Sequence, residues 1–275
     1  MLPHTELAPA KVNLALHVLG RRDDGYHELD SIVAFAQVAD RLTFEEAPDW
    51  RLDIAGPFAE GLEAAPDNLV LKAARAFAAA YPSRTYRIRL EKNLPIASGI
   101  GGGSADAAAC LRALASLAGV SDDLGKLACG LGADVPVCLV GKACRMQGIG
   151  ERIDLLDDIE PMPAVLVNPG LELATRDVFA RLALKPGDKA FAGLTTPMDL
   201  ASCRNDLTVS ALASAPVIGQ VMAGLSVQAG LRFARMSGSG ATCFGIFASR
   251  EAAKEAARRI SQTHPQWWVV PTMIG

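Results

Sequence analysis

Apolar and polar residues alternate near the start of the chain. Over residues 10–18 the even-numbered positions are apolar, while the other face carries Lys11, Asn13 and His17. A period of two residues is typical of a β-strand with one buried face. The mixed apolar run 29–38 predicts a second strand. We therefore expect the chain to begin with two strands, the first of which presents three polar side chains on one face.

The same pattern places further elements along the N-terminal half. Short alternating runs predict strands at 41–45 and 51–54, which we expect to pair antiparallel, and another strand at 86–90. The spacing of apolar residues over 68–80 favours an amphipathic helix. The apolar run 137–140 is bounded by turn residues, and we interpret it as a strand.

A glycine-rich segment, 99–104, precedes a strongly helix-forming run, 105–118. Ser104 is a candidate N-cap for this helix, and Gly119 is a stop signal. A helix start leaves backbone N–H groups unpaired and carries the positive end of the helix dipole, so glycines before it allow the backbone to close around a phosphate. A plain tight turn is the alternative, although a turn rarely needs four glycines.

This segment matches neither of the two commonest phosphate-binding patterns. The chain contains no Gly-Lys-Ser or Gly-Lys-Thr, which the Walker pattern requires. Ser104 stands where the dinucleotide fingerprint has its third glycine, and residues 91–95 separate the segment from the preceding strand. The pattern therefore disfavours a nicotinamide-dependent dehydrogenase.

The amino-acid composition of the chain changes near residues 155–163, which are acidic and interrupted by prolines. We place a domain boundary there and expect an N-terminal domain over 1–158 and a C-terminal domain over 159–275. Strands and helices mix without strict alternation, which indicates an α+β fold. A second run of small residues, 237–241, lies between two predicted strands and could be a simple hairpin turn.

Composition and charge narrow the classes of function. The 275 residues are 50% hydrophobic and 21% charged, with a net charge of -3, which is ordinary for a globular protein. No long run of Lys or Arg points to nucleic acid as a partner, and no apolar stretch approaches membrane-spanning length. None of the six cysteines forms a Cys-x-x-Cys pair. We interpret them as buried, reduced thiols of a cytoplasmic protein without a zinc site.

Several polar residues are candidates for chemistry, and each also has an ordinary structural explanation. Asp134 lies in a glycine-rich turn, where an aspartate often bonds to its own backbone. Lys11 and Asn13 could belong to a solvated strand face. Tyr26 and His27 follow a turn and could simply cover apolar residues.

Taken together, the segments resemble the GHMP kinases in order and spacing. The N-terminal signature, 8–14 followed by 20–29, is similar to that of the branch that acts on 4-diphosphocytidyl-2-C-methyl-D-erythritol. The remaining similarities are 95–104 to the ATP loop, 132–136 to the catalytic turn, 237–241 to the third family motif and, more weakly, 205–207.

The resemblance implies a two-domain GHMP-kinase fold with its active site in the cleft between the domains. It implies that ATP, with Mg²⁺, phosphorylates the 2-hydroxyl of that cytidine diphosphate sugar alcohol, a step of non-mevalonate isoprenoid synthesis. Asp134 would accept the hydroxyl proton, and Lys11 would hold Asp134 and the developing negative charge. Asn13, Tyr26 and His27 would contact the substrate. The residues implied for ATP are Pro95, Ile96, Ala97, Ser98, Gly99, Ile100, Gly101, Gly102, Gly103, Ser104 and Ala105, together with Asn68 and Lys92.

Three positions depart from the family pattern. Ala97 and Ser98 stand where the family usually has glycine and alanine, and Ala105 stands where it usually has a second serine. Ala105 supplies no hydroxyl for a phosphate or a magnesium ion. The main-chain N–H groups of the segment are unaffected by these changes.

Two other functions remain as alternatives. A sibling GHMP kinase would act on homoserine or mevalonate, but these substrates carry no base for the Asp-Gly-Tyr-His segment, 24–27, to hold. A catalytically inactive nucleotide-binding protein would be expected to have lost Lys11 or Asp134, and both residues are present.

Overall fold

The computed structural model describes residues 3–194 and 199–275. The chain forms two compact units, each built from three segments. Unit 1 comprises Met1–Ala10, Val38–Ile96 and Gly101–Gly141, and unit 2 comprises Lys11–Gln37, Ala97–Ile100 and Lys142–Gly275. The single boundary after residue 158 stays a prediction.

Two long paired strands open the chain, β1 (His4–Arg21) and β2 (His27–Glu46). The runs 29–38 and 41–45, which were expected to be separate strands, are parts of β2. Every residue of β1 from position 10 to position 18 is buried. The polar face of this strand is therefore not solvated, and its polar atoms need partners inside the protein.

Unit 1 contains a small sheet with one parallel pair. The end of β2 pairs antiparallel with β4 (Tyr86–Glu91), and β4 pairs in parallel with β3 (Arg51–Ala55). The expected antiparallel pairing of 41–45 with 51–54 is wrong, because β4 lies between them. The connection from β3 to β4 contains a helix, α1 (Leu69–Ala80), and a helical crossover is what a parallel pair requires.

Three further helices complete unit 1: α2 (Gly102–Ala118), α3 (Gly125–Leu131) and α4 (Val135–Val140). The strand expected at 137–140 is wrong, because these residues belong to α4. Pro136 lies in the first turn of this helix, where its missing N–H costs nothing. A short apolar run is ambiguous between strand and helix, and here the proline was the better signal.

Unit 2 is built on an antiparallel sheet in the order β10-β7-β9-β8, which comprises β7 (Met162–Asn168), β8 (Leu231–Met236), β9 (Cys243–Phe247) and β10 (Trp268–Ile274). The first part of β2 pairs with β5 (Cys144–Gly148), which pairs with β6 (Arg152–Leu155). The helices are α5 (Thr175–Ala180), α6 (Thr208–Ser214), α7 (Val217–Ser226) and α8 (Arg250–Thr263).

The core of unit 2 lies between this sheet and its helices, and it includes Val165, Ile218, Val221, Phe247 and Ile260. Antiparallel strands with helices that do not alternate regularly with them confirm the α+β fold. Across residues 3–194 and 199–275, no helix is both long and apolar enough to cross a membrane. All six cysteines are free thiols. The expectation that they are buried is wrong for Cys129, which is exposed, and for Cys203, which is half-buried.

Candidate active site

The glycine-rich segment forms a loop, which we call the glycine loop (residues 97–104), and its backbone alternates in conformation. Ala97, Gly99 and Gly101 have positive φ angles of 47°, 75° and 65°. Alternation of left-handed residues with ordinary ones is the kind of backbone that gathers successive N–H groups into an anion-binding concavity. Gly101 is also the N-cap of α2, so the expected N-cap at Ser104 is wrong by three residues.

The second half of the glycine loop, 101–104, starts α2 without help from a side chain. No side chain caps this helix, and the Ala105 N–H donates to the Gly101 carbonyl at 2.8 Å. The first amides of an α-helix have no intrahelical acceptor, and they carry the positive end of its dipole. A phosphate is therefore a suitable partner for the start of α2. Ala105 is buried, so its departure from the family pattern lies on the inner side of the helix.

The first half, Ala97–Ile100, packs against the second glycine loop (residues 237–241) within unit 2. Ser237 Oγ donates to the Gly99 carbonyl at 3.0 Å, and the Thr242 N–H donates to the Ser98 carbonyl at 3.1 Å. A Cβ atom on Gly99 would lie 2.5 Å from the backbone carbonyl oxygen of Ser237 and 2.6 Å from that of Gly240. Glycine at position 99 is therefore required by backbone-to-backbone contact.

Two of the β1 candidates lie beside these loops in unit 2. The Lys11 N–H donates to the Ile100 carbonyl at 2.9 Å, and the Asn13 N–H donates to Ser237 Oγ at 3.1 Å. The Asn13 side chain donates to Ser31 Oγ at 2.8 Å, while its Oδ1 is buried without a hydrogen-bond partner among the residues that the structure describes. Unit 2 therefore brings Lys11 and Asn13 together with the first half of the glycine loop and with the second glycine loop.

Asn205 supports the second glycine loop. The sequence showed only a weak similarity to the family at residues 205–207. Its Nδ2 donates to the carbonyls of Met236 and Gly238, both at 2.8 Å, and its Oδ1 accepts from the Leu207 N–H at 2.9 Å. A buried amide with three partners holds its surroundings in one geometry. Asn205 thus fixes the loop that in turn fixes Gly99.

Asp134 is half-buried at the start of α4 in unit 1. It occupies the N-cap position, but its carboxylate makes no capping hydrogen bond to α4. The carbonyl of Asp134 accepts from the Cys138 N–H at 3.2 Å, which fixes the backbone of this residue.

Tyr26 and His27 lie at the turn before β2, and they differ in exposure. Tyr26 is 58% exposed, whereas the ring of His27 packs against Phe179 with a centroid distance of 4.8 Å. Burial, and then the nearby Arg21 guanidinium, lower the pKa of His27, so its imidazole is neutral at pH 7. Sequence reasoning missed Phe179, because nothing in its spacing links it to residue 27.

The two residues expected near adenine have structural partners of their own in unit 1. Asn68 is the N-cap of α1, and its Oδ1 accepts from the Val70 N–H at 2.9 Å. Lys92 is only 3% exposed, and its ammonium lies between the carboxylates of Asp40 and Asp106. Their contacts with a nucleotide stay a prediction.

Comparisons with known proteins agree with this architecture. The family model described as GHMP kinases N terminal domain matches residues 68–142, and the model described as GHMP kinases C terminal matches residues 193–266. A 4-diphosphocytidyl-2-C-methyl-D-erythritol kinase from Parvibaculum lavamentivorans is 50% identical over 286 residues, with 99% of each chain covered.

Two solved structures distinguish similarity to one branch of the family from similarity in fold alone. A crystal structure of 4-(cytidine 5'-diphospho)-2C-methyl-D-erythritol kinase has a TM-score of 0.82 at 36% identity and covers 99% of this chain and 100% of its own. A homoserine kinase from Cytophaga hutchinsonii has a TM-score of 0.65 at 15% identity, covers 98% of this chain and 94% of its own, and shares the fold alone. This chain belongs to the GHMP kinase family and, within it, to the 4-diphosphocytidyl-2-C-methyl-D-erythritol kinases.

Proposed function

We propose that this chain transfers the γ-phosphoryl group of ATP to the 2-hydroxyl of 4-diphosphocytidyl-2-C-methyl-D-erythritol. The observation that carries the proposal is the glycine loop, whose left-handed residues lead directly into the uncapped start of α2. Such a backbone suits the phosphates of a nucleotide. The name of the relative from Parvibaculum lavamentivorans supplies the identity of the acceptor alcohol.

Phosphoryl transfer is catalysed mainly by positioning and by neutralising charge. The main-chain N–H groups of the glycine loop and the dipole of α2 would hold the β- and γ-phosphates. Mg²⁺ would accompany the nucleotide, because this ion is bound largely by substrate phosphates and water. Its charge would stabilise the oxygens of the group being transferred.

Asp134 would accept the proton of the attacking hydroxyl, and Lys11 would balance the charge that develops there. The backbone of Lys11 is anchored to Ile100, so this lysine is fixed relative to the first half of the glycine loop.

The cytosine would be held near Tyr26 and His27. A neutral imidazole offers one donor and one acceptor, and Phe179 adds a second ring beside it. Asn13 contributes a buried carbonyl oxygen that lacks a hydrogen-bond partner among the described residues. Homoserine and mevalonate carry no base, and they would leave these groups without partners.

The test measures ADP release with ATP, Mg²⁺ and one of three alcohols: the cytidylyl substrate, homoserine or mevalonate. We expect kcat/KM for the cytidylyl substrate to exceed the others by at least about 10³-fold, because polar groups arranged for one substrate are left unpaired by another. Comparable turnover of homoserine or mevalonate would overturn the assignment of the substrate.

Two variants separate the proposed roles. Asp134→Asn should lower kcat by about 10²- to 10⁴-fold with little change in KM for ATP, which is the usual contribution of a general base. Asp123→Asn is the control, since this carboxylate accepts from the Gly125 N–H and has no proposed catalytic role. Tyr26→Ala should raise KM for the cytidylyl substrate about five- to a hundredfold and leave KM for ATP unchanged, on the scale of a lost base-stacking contact.

A further inference from the structure

Three charged side chains meet in the interior of unit 1, and we call them the buried charge cluster (Asp40, Lys92 and Asp106). Asp40 lies in β2, Lys92 directly follows β4, and Asp106 lies in the second turn of α2. Each of the three side chains is at most 4% exposed. The cluster therefore joins two strands of the unit 1 sheet to the helix that starts in the glycine loop.

Hydrogen bonds connect the three side chains of the cluster to one another and to the backbone that follows β4. Lys92 Nζ donates to Asp106 Oδ2 at 2.7 Å and to Asp40 Oδ2. The other oxygen of Asp40 accepts from the N–H groups of Asn93 and Leu94, at 2.5 and 2.8 Å. Asp40 is thus held by the backbone that follows β4, and Lys92 transmits that position to Asp106 on α2.

The cluster also lies beside the first residue of α2. A Cβ atom on Gly102 would lie 3.1 Å from Lys92 Nζ and 3.8 Å from Asp40 Oδ2. The ammonium group therefore packs against the backbone that begins the second half of the glycine loop. Glycine at position 102 gives this cation room, independently of any phosphate.

Charge alone does not explain why the cluster is present. Two carboxyl groups share one ammonium in the interior, and Asp106 Oδ1 has no hydrogen-bond partner among the described residues. Replacing buried ions by apolar residues of similar size is often neutral or stabilising. The cluster therefore contributes less to stability than to a fixed geometry, and the geometry it fixes is the start of α2.

We propose that Asp40, Lys92 and Asp106 are positioning residues that hold the first turn of α2 in the geometry that binds the phosphates of a nucleotide. The cluster acts through Gly102 and through the attachment of Asp106, and it contacts no phosphate itself. This inference rests on the proposed function only in taking a nucleotide as the ligand. It does not depend on which alcohol is phosphorylated.

The test compares three variants by calorimetric titration with ADP and Mg²⁺. Asp106→Ala detaches α2 from Lys92 and is expected to raise Kd for ADP about ten- to a hundredfold. Asp106→Asn keeps an acceptor oxygen for Lys92, and its Kd is expected to stay within about threefold of the wild-type value. Leu114→Ala is the control, because it removes buried packing from the same helix two turns further on. Its Kd should change less than twofold, although it too destabilises the protein.

A merely structural role predicts a different result. In that case Asp106→Ala and Leu114→Ala would both unfold at lower urea concentration and would both bind ADP normally while folded. Equal Kd values for Asp106→Ala and the wild type, measured on folded protein, overturn the proposal. Failure of the wild type to phosphorylate the cytidylyl alcohol, with ADP binding intact, would instead overturn only the proposed substrate.

A measurement on the unaltered chain covers the case in which Asp106→Ala does not fold. Saturating ADP should slow the hydrogen exchange of the Asn93 and Leu94 amides at least about tenfold, because a ligand that fixes the start of α2 must also fix its support. Unchanged exchange at these two amides, with slowed exchange in the glycine loop, overturns the proposal.

Discussion

The two halves of the glycine loop are fixed by different means. The first half, Ala97–Ile100, belongs to unit 2 and is held by backbone contact with the second glycine loop, where Gly99 leaves no room for a Cβ atom. The second half belongs to unit 1 and is supported by the ammonium of Lys92, against which Gly102 packs. Backbone atoms cannot move aside, whereas a lysine side chain can shift by a few tenths of an ångström. The two halves should therefore differ in how much change they tolerate.

The largest effect is expected from Gly99→Ala. Its Cβ atom would meet two backbone oxygens at 2.5 and 2.6 Å, and the residue has a φ of +75°. We expect a loss of stability on the order of 3 kcal/mol, the range of strain and overpacking combined, and a rise of more than a hundredfold in Kd for ADP. Urea unfolding and calorimetry measure the two effects.

Gly119→Ala is the matched control for this variant. Its φ of +66° is similar, but nothing lies within 4 Å of the added Cβ atom. This variant should lose only about 1 kcal/mol, the usual cost of a left-handed alanine. Equal destabilisation of the two variants would mean that conformation, and not contact with residues 237–240, fixes the first half of the loop.

Gly102 tests the second half, with a smaller expected effect. Alanine at this position meets only Lys92 Nζ at 3.1 Å, so Gly102→Ala should fold normally and raise Kd for ADP about three- to tenfold. Gly102→Val places a branched side chain there and should weaken ADP binding more strongly. Gly103→Ala, whose Cβ would lie 3.7 Å from Leu69, shows what a methyl group does without the lysine contact. Unchanged ADP affinity in both Gly102 variants would make this half of the loop a plain turn.

The buried charge cluster should make the stability of the folded protein depend on pH. Burial, and then the neighbouring Asp40 carboxylate, raise the pKa of Asp106 from 3.8 to about 7, against the opposing effect of Lys92. The folded protein therefore keeps a proton that the unfolded chain releases between about pH 4 and pH 7. The contribution of this proton to stability is complete below about pH 4 and is lost as the pH rises through 7.

Asp106→Asn should remove this pH dependence. The groups that face Asp106 are Asp40, Lys92 and Cys110 on the next turn of α2, and the buried residues of α1 are all apolar. Burial lowers the pKa of Lys92 but its two carboxylates outweigh that effect, and burial raises the pKa of Cys110, so neither titrates in this window. Between pH 5 and pH 8 the wild type should lose about 1–3 kcal/mol relative to the variant, as followed by urea unfolding. Parallel pH profiles would contradict the assignment.

The contrast between the halves also marks what the sequence could predict. Four glycines before a helix-forming run were enough to predict a loop that leads into a helix, because a left-handed backbone and a helix start are local properties. The order of the motifs was enough to predict the family. Both predictions needed only residues that are close together in sequence or in a known pattern.

Long-range partners could not be predicted in the same way. Asp40 and Asp106 are separated from Lys92 by 52 and 14 positions, and no local periodicity links them. The parallel pairing of β3 with β4 depends on the crossover through α1, which a strand pattern does not reveal. The sequence left a solvated face of β1 as an alternative, because alternation shows that two faces differ but not what covers each of them. In the structure this face is buried.

The smallest effect is expected at Ala97, the one non-glycine residue of the loop with a positive φ, 47°. Ala97 is exposed, and its carbonyl accepts from the Leu173 N–H at 3.3 Å. Ala97→Gly relieves about 1–2 kcal/mol of left-handed strain. It also gives the unfolded chain more freedom, which costs about 0.4–1 kcal/mol. The variant should therefore gain at most about 1 kcal/mol in stability and keep its affinity for ADP within twofold. A clear loss of affinity would mean that the methyl group of Ala97 itself shapes the first half of the loop, and that backbone contact is not its only support.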